Sequence, residues 1–144
     1  MPLQTSLDRK TLRGLTVRYA TDAETLLKNH RWSSAFYLSG YAIECALKAC
    51  IAKQIRRHQF PNLETVRDSH THNLVKLLNL AGLTAAMKER SKSDVQFEIY
   101  WVEVVTKWKE TSRYGQATKT MAEEMIRAVS NTEKGVLPWI QLYW

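Results

Sequence analysis

Glu44 is a carboxylate set in the middle of an apolar run, with Phe36, Tyr37, Leu38, Tyr41, Ile43, Cys45, Leu47, Cys50 and Ile51 around it. Burying such a charge is costly unless a cation or several donors meet it. Lys48 follows four residues on, the spacing at which a helix brings two side chains together. A second polar pair lies far along the chain, where Arg113 is followed by Tyr114. A planar guanidinium beside an aromatic ring is suited to holding a phosphate or a base. Each residue also has a structural reading: Glu44 as a buried buttress, Arg113 as its salt-bridge partner, Tyr114 as a packing ring. Other chemistry finds little support. The five glycines are scattered singly, so no phosphate-cradling loop is present, and no nucleophilic triad can be drawn. His70 and His72 with His58 and Cys45 make a metal set on paper only, because their spacing matches no ligand pattern. No metal and no cofactor is expected.

The element that must position Glu44 and Lys48 runs from Ser33 to about Arg57. It contains no proline, a single glycine and many of the helix formers Ala and Leu. Its apolar residues cover most of the circumference, which predicts the central helix of a bundle. At ~1.5 Å per residue it is ~37 Å long. Ser39, Glu44 and Lys48 make it too polar to be read as a membrane span. Before it, Leu15–His30 is amphipathic through Val17, Tyr19 or Ala20, Ala23, Leu26 and Leu27. The link is short, with Ser33 or Ser34 as N-cap, so these two helices should form an antiparallel hairpin. Pro61 ends the central pattern, and residues 59–71 read as the longest loop.

Further on, residues 72–82 form a short helix with Leu74, Leu77, Leu78 and Ala81 on one face and Gly82 as its stop. A brief turn around Thr84–Arg90 follows. Ser93 or Asp94 then caps a helix reaching Trp108. Its β-branched residues would also suit a strand, but the length of the run and the lack of a hairpin partner decide for helix. Glu110–Gln116 is a loop. Residues 117–134 are amphipathic through Met121, Met125, Ala128 and Val129, with Glu123 and Arg127 paired outside. Gly135 and Pro138 interrupt that pattern. The chain thus reads as one all-α domain over residues 1–144, an antiparallel up-and-down bundle of about five helices. Residues 1–13 form a loosely structured arm. The tail 136–144, ending in Trp139, Tyr143 and Trp144, is too aromatic to stay in water and should dock on the core or on a second subunit.

The net charge of +7 is unevenly spread: residues 1–60 carry ten Lys/Arg against four Asp/Glu, residues 61–144 eleven against ten. A basic half of this kind suits a nucleotide or nucleic-acid partner, or is simply a solvated basic surface. Cys45 and Cys50 point in different directions on the central helix and read as reduced core residues of a cytoplasmic protein. Residues 1–19 are polar and basic and lack the apolar run of a secretory signal.

The segment Gly40-Tyr-Ala-Ile-Glu-Cys-Ala-Leu-Lys-Ala49 resembles the signature helix of the HEPN (higher eukaryotes and prokaryotes nucleotide-binding) domain family, a small residue followed by Ala-x-Glu-x-x-Leu-Lys-Ala. His72-Asn-Leu-Val-Lys-Leu-Leu is similar to that family's His-x-Leu helix start, and Arg113-Tyr114 to the Arg-Tyr before its last helix. Together the matches span roughly residues 15–140. The resemblance implies an antiparallel helical bundle, commonly a dimer. It also implies either a ribonuclease toxin or a nucleotide-binding companion of a small nucleotidyltransferase. HEPN ribonucleases carry an Arg and, after four to six intervening residues, a His at the start of the last helix. There the His moves a proton and the Arg steadies the phosphate. After Arg113 the corresponding positions are Thr118, Lys119 and Thr120, and no histidine follows His72. The spacing recurs at Arg67 and His72, but before the short helix, where the family does not keep its pair.

The leading expectation is therefore a non-catalytic HEPN homodimer. It would bind a nucleotide or a partner nucleotidyltransferase through Glu44, Lys48, Arg113 and Tyr114, in a toxin–antitoxin-like pair, with Glu44 and Arg113 in direct or water-bridged contact. The alternative is a metal-independent ribonuclease using Arg67 and His72. A third reading is a purely structural oligomer.

Overall fold

The computed structural model describes residues 8–58 and 67–144, with the side chains of 56–58 excepted. Among these residues there are seven α-helices and no strand. In chain order they are α1 (Arg9–Lys28), α2 (Trp32–His58), α3 (Leu74–Leu80), α4 (Thr84–Ser93), α5 (Val95–Lys107), α6 (Lys119–Ser130) and α7 (Val136–Ile140). A short 3-10 helix, η1 (Glu110–Tyr114), lies between α5 and α6. This is the all-α bundle the periodicities predict, with two helices more than expected.

α2 is the centre of it. Twenty-seven residues give it a length of ~40 Å, and it packs against α1, α3, α6, α7 and η1. Ala35, Phe36, Ile43, Ala46, Leu47, Cys50 and Ile51 are its share of the common core. Trp32–Ile55 is long and apolar enough to cross a membrane by length and composition alone. However, 72% of its most apolar window is buried inside the bundle, so its apolarity is already used by neighbouring helices. α1 returns along α2 through a tight link. His30 takes a left-handed φ of 61°, and Arg31 N–H bonds to Leu26 O at 2.9 Å, the closing bond of a Schellman turn. Gly82, at φ 72°, closes α3 in the same way, with Leu83 N–H on Leu78 O.

Several boundaries differ from the sequence reading, each for a local reason. α1 begins at Arg9, because Asp8 accepts a hydrogen bond from Thr11 N–H and so caps it. Residues 9–13 are thus helix rather than a loose arm, and 1–7 lie outside the described residues. On α1 the inward residues are Leu12, Thr16 and Ala23, whereas Val17 is exposed. Thr16 is tolerated inside because its hydroxyl donates to Leu12 O. Of the expected loop 59–71, residues 59–66 lie outside the description, and Arg67 and Asp68 are helical. Thr84–Arg90 is not a brief turn but part of α4, and Asp94 rather than Ser93 caps α5. On α6 it is Ala122 that is buried and Met121 that is partly exposed, and Glu123 pairs with Lys119 instead of Arg127.

The aromatic tail folds back on its own core. Pro138 does not break the helix there; it occupies the third position of α7, within the first turn, where no intrahelical N–H is needed. Trp139 is buried against Phe97 at 5.4 Å between ring centroids, and Tyr143 packs on Trp139. Trp144 receives Arg13 over its ring at 4.9 Å and accepts a hydrogen bond from Arg9 at its carbonyl. The tail therefore joins α1 to α7, while Leu142 and Tyr143 stay exposed.

Candidate functional site

Tyr37, Tyr41, Glu44 and Lys48 recur at i, i+4, i+7 and i+11, which places them on one stripe of α2. Glu44 is only 1% exposed. One of its oxygens, Oε2, meets Lys48 Nζ at 3.3 Å, as the i,i+4 spacing allows. The other, Oε1, lies 2.9 Å from His72 Nδ1. An ionised carboxylate can only accept, so Nδ1 is the donor of this contact, and Nε2 has no hydrogen-bond partner among the described residues. Three backbone anchors hold His72 at this point. Thr71 Oγ1 accepts from Asn73 N–H, Asn73 Oδ1 accepts from Lys76 N–H as the cap of α3, and Leu77 N–H bonds to Asn73 O.

Above the stripe sits Trp108, the residue at which α5 ends in an extended conformation. Its indole N–H donates to Tyr37 O at 2.9 Å, and its ring stacks on Tyr37 and meets Tyr41 edge-on. Gly40 makes this approach possible. A Cβ there would lie 2.1 Å from Trp108 Cδ1, far inside contact distance. Burial, followed by the nearby Glu44 charge, pushes the Tyr41 phenol up to about 12. Tyr41 is therefore a neutral donor, never a phenolate, at physiological pH. The same two causes push Cys45 up to about 12, and burial takes Cys50 to about 11. Both thiols are buried and free. Neither is expected to react with iodoacetamide in the native protein at pH 7.5, while both should react once urea unfolds it.

His72 lines a groove of about 920 Å³ between the start of α3 and the segment Val105–Thr111, with Lys76, Asn79 and Lys109 also on its wall. This is within the range of small-molecule sites. Among the described residues no group of three or more His, Cys, Asp or Glu is placed to hold a metal ion.

The four residues expected to form one site divide into two pairs. Glu44 and Lys48 are together. Arg113 and Tyr114 are together on η1, the guanidinium 4.6 Å above the ring and donating to its hydroxyl. The expected direct contact of Glu44 with Arg113 is not formed. Arg113 Nη1 pairs instead with Glu110 at 3.0 Å, three residues away on the same turn. Tyr114 is 74% exposed rather than packed near Glu44. Arg113 borders a smaller hollow of about 330 Å³ with Ser33, Ser34 and Tyr37. His72, which the sequence offers with Arg67 as the alternative catalytic pair, is the long-range partner of Glu44. Arg67 itself is exposed at the end of a helical turn. The i, i+4, i+7 spacing of Tyr37, Tyr41 and Glu44 is the sequence signal that could have joined the two tyrosines to the site; nothing pointed to Trp108 as the ring that covers them.

A helical bundle whose central helix holds a buried carboxylate against an imidazole from a following short helix is the class of protein defined by this arrangement. The model of the HEPN domain matches residues 17–139, and the chain belongs to that family. Comparison with curated proteins and with solved structures gives no significant match.

Proposed function

We propose that the groove headed by His72 receives a nucleotide phosphate, free or within an RNA strand. The protein would act as the nucleotide- or partner-binding component of a toxin–antitoxin-like pair with a small nucleotidyltransferase, as a cytoplasmic homodimer. The observation that carries the reading is the 2.9 Å contact between Glu44 and His72 Nδ1, which orients a half-exposed imidazole, its Nε2 without a hydrogen-bond partner among the described residues, beside a groove of nucleotide size. Lys76 and Lys109 on the wall supply the charge that a phosphate requires. For the homodimer, Val95, Ile99 and Val102 leave an exposed apolar stripe at i, i+4 and i+7 on α5.

A second reading draws on the same Glu44–His72 contact, with Arg67 brought in by its sequence spacing alone. A neutral His72 with its proton on Nδ1 offers the Nε2 lone pair as a general base toward a ribose 2′-hydroxyl, with Arg67 as the phosphate-steadying cation. RNA would then be cleaved without metal. Both readings are tested together by calorimetry with adenine and uridine nucleotides and by incubation with tRNA in EDTA. His72→Ala is expected to weaken nucleotide binding at least tenfold, and to lower any cleavage by ~10²–10⁴-fold, the usual contribution of one acid–base group. Arg113→Ala should leave both unchanged. Loss on Arg113→Ala with none on His72→Ala would move the site to the η1 hollow.

A further inference from the structure

The groove beside His72 does not end at α3. Val75, Leu78 and Thr84 line it, and the same three residues line a second hollow of about 450 Å³ over α4 and the start of α5. The two are contiguous. Leu78, Met87 and Trp101 give the second hollow an apolar floor, and Lys88 and Lys92, one helical turn apart and both exposed, stand on its rim. Lys92 meets Glu89 at 3.6 Å, but both side chains are more than three-quarters exposed, so that pair holds neither firmly. Among the described residues Glu98 is the one carboxylate lining this hollow, and Glu110 the one lining the first, where it faces Arg113. The trough thus has Lys76 and Lys109 at one end and Lys88 and Lys92 at the other.

That length exceeds what one nucleotide can use. From Thr84 to Lys92 the rise along α4 alone is ~12 Å, whereas each nucleotide of a stacked strand advances only about 3.4 Å along the strand axis. A cationic rim over an apolar floor matches a strand whose phosphates and base faces are both accessible, and a duplex hides the faces. We propose that the hollow over α4 is a strand-binding extension of the His72 site, which makes the ligand a single strand of RNA several phosphates long. This rests on the reading of the His72 groove as a nucleotide site, and it names the form in which the nucleotide arrives.

The test is fluorescence anisotropy with a labelled uridine dinucleotide and octanucleotide across a salt series. The octamer is expected to bind at least tenfold more tightly. Its plot of log affinity against log salt should be steeper by about 1.4, at ~0.7 for each lysine engaged. Lys88→Glu with Lys92→Glu, both at exposed positions, should abolish the gain and the added slope while leaving dinucleotide binding unchanged. Equal affinity for the two lengths, with the dinucleotide bound, overturns the extension and leaves the His72 site standing. So does a length gain that survives the double substitution. Failure of both oligonucleotides to bind removes the His72 reading and the extension with it.

Discussion

Trp108→Ala is expected to destabilise the fold by ~3–5 kcal/mol, the range for removing a large buried aromatic side chain. Trp108 is 2% exposed, stacks on Tyr37, and donates its indole N–H to Tyr37 O. Its loss removes packing and leaves a backbone carbonyl without its donor. A companion substitution gives the sharper result. Gly40→Ala in an ordinary helix interior stabilises by ~1 kcal/mol, because alanine has the better helix propensity. Here the added Cβ would overlap the indole, and overpacking of this kind costs ~1–3 kcal/mol. The clash outweighs the propensity gain, so Gly40→Ala alone should lower stability. In a Trp108→Ala background the clash is gone, and the same substitution should raise it. Urea unfolding of the four proteins measures this reversal of sign as a coupling energy. A stabilising Gly40→Ala in the wild-type background would show that the indole does not rest on Gly40.

His72→Ala combined with Lys48→Met should cost ~3–5 kcal/mol, whereas Glu44→Gln should cost only about 1 kcal/mol. The asymmetry comes from which member of the cluster is enclosed. The Glu44 side chain is 1% exposed, Lys48 19% and His72 47%. Removing both partners takes away the ammonium and the Nδ1–H donor and strands a carboxylate where water does not reach. Removing the charge on Glu44 leaves Lys48 and His72 able to turn toward solvent, and the amide oxygen of glutamine still accepts from Nδ1–H. A triple variant, Glu44→Gln with both partner substitutions, should recover most of the lost stability, because no buried charge is then unmet. Arg113→Ala is expected to leave the unfolding midpoint where it is, since its contacts are exposed and confined to η1. Thermal melts and urea midpoints of these variants decide the matter. A large loss on Glu44→Gln, as large as that of the double substitution, would mean the three residues hold the fold by shape rather than by charge.

The helices were legible because their signals are local. The full apolar circumference of residues 33–57, the three-to-four spacing before it, and Gly82 after Ala81 each report on a few consecutive residues, and α2, the C-terminal part of α1 and the end of α3 lie where those signals put them, whereas α1 starts six residues earlier than its spacing indicated. So was the burial of Glu44, which follows from its apolar neighbours alone. The errors fell where local signals compete. Val17 and Thr16 are adjacent, and only back-bonding of the Thr16 hydroxyl to Leu12 decides which faces inward.

The partner of Glu44 was not legible, for a different reason. Helical periodicity says which face of α2 and α3 is buried, but not which turn of one meets which turn of the other. His72 and Arg113 both stood in turns that could reach α2, and the planar fork of arginine made it the better chemical match to a carboxylate. Two features set the outcome. Glu110 lies three residues before Arg113 and pairs with it locally at almost no ordering cost, so the guanidinium is engaged before any long-range contact is made. Asn73 and Thr71 cap α3 so that the residue between them projects onto α2. The amino-acid sequence by itself determined the bundle, its central helix and the demand of Glu44 for a counter-charge. Only the docking of α3 on α2, a contact across 28 residues, decided that an imidazole answers it and that the site opens on the α3 side.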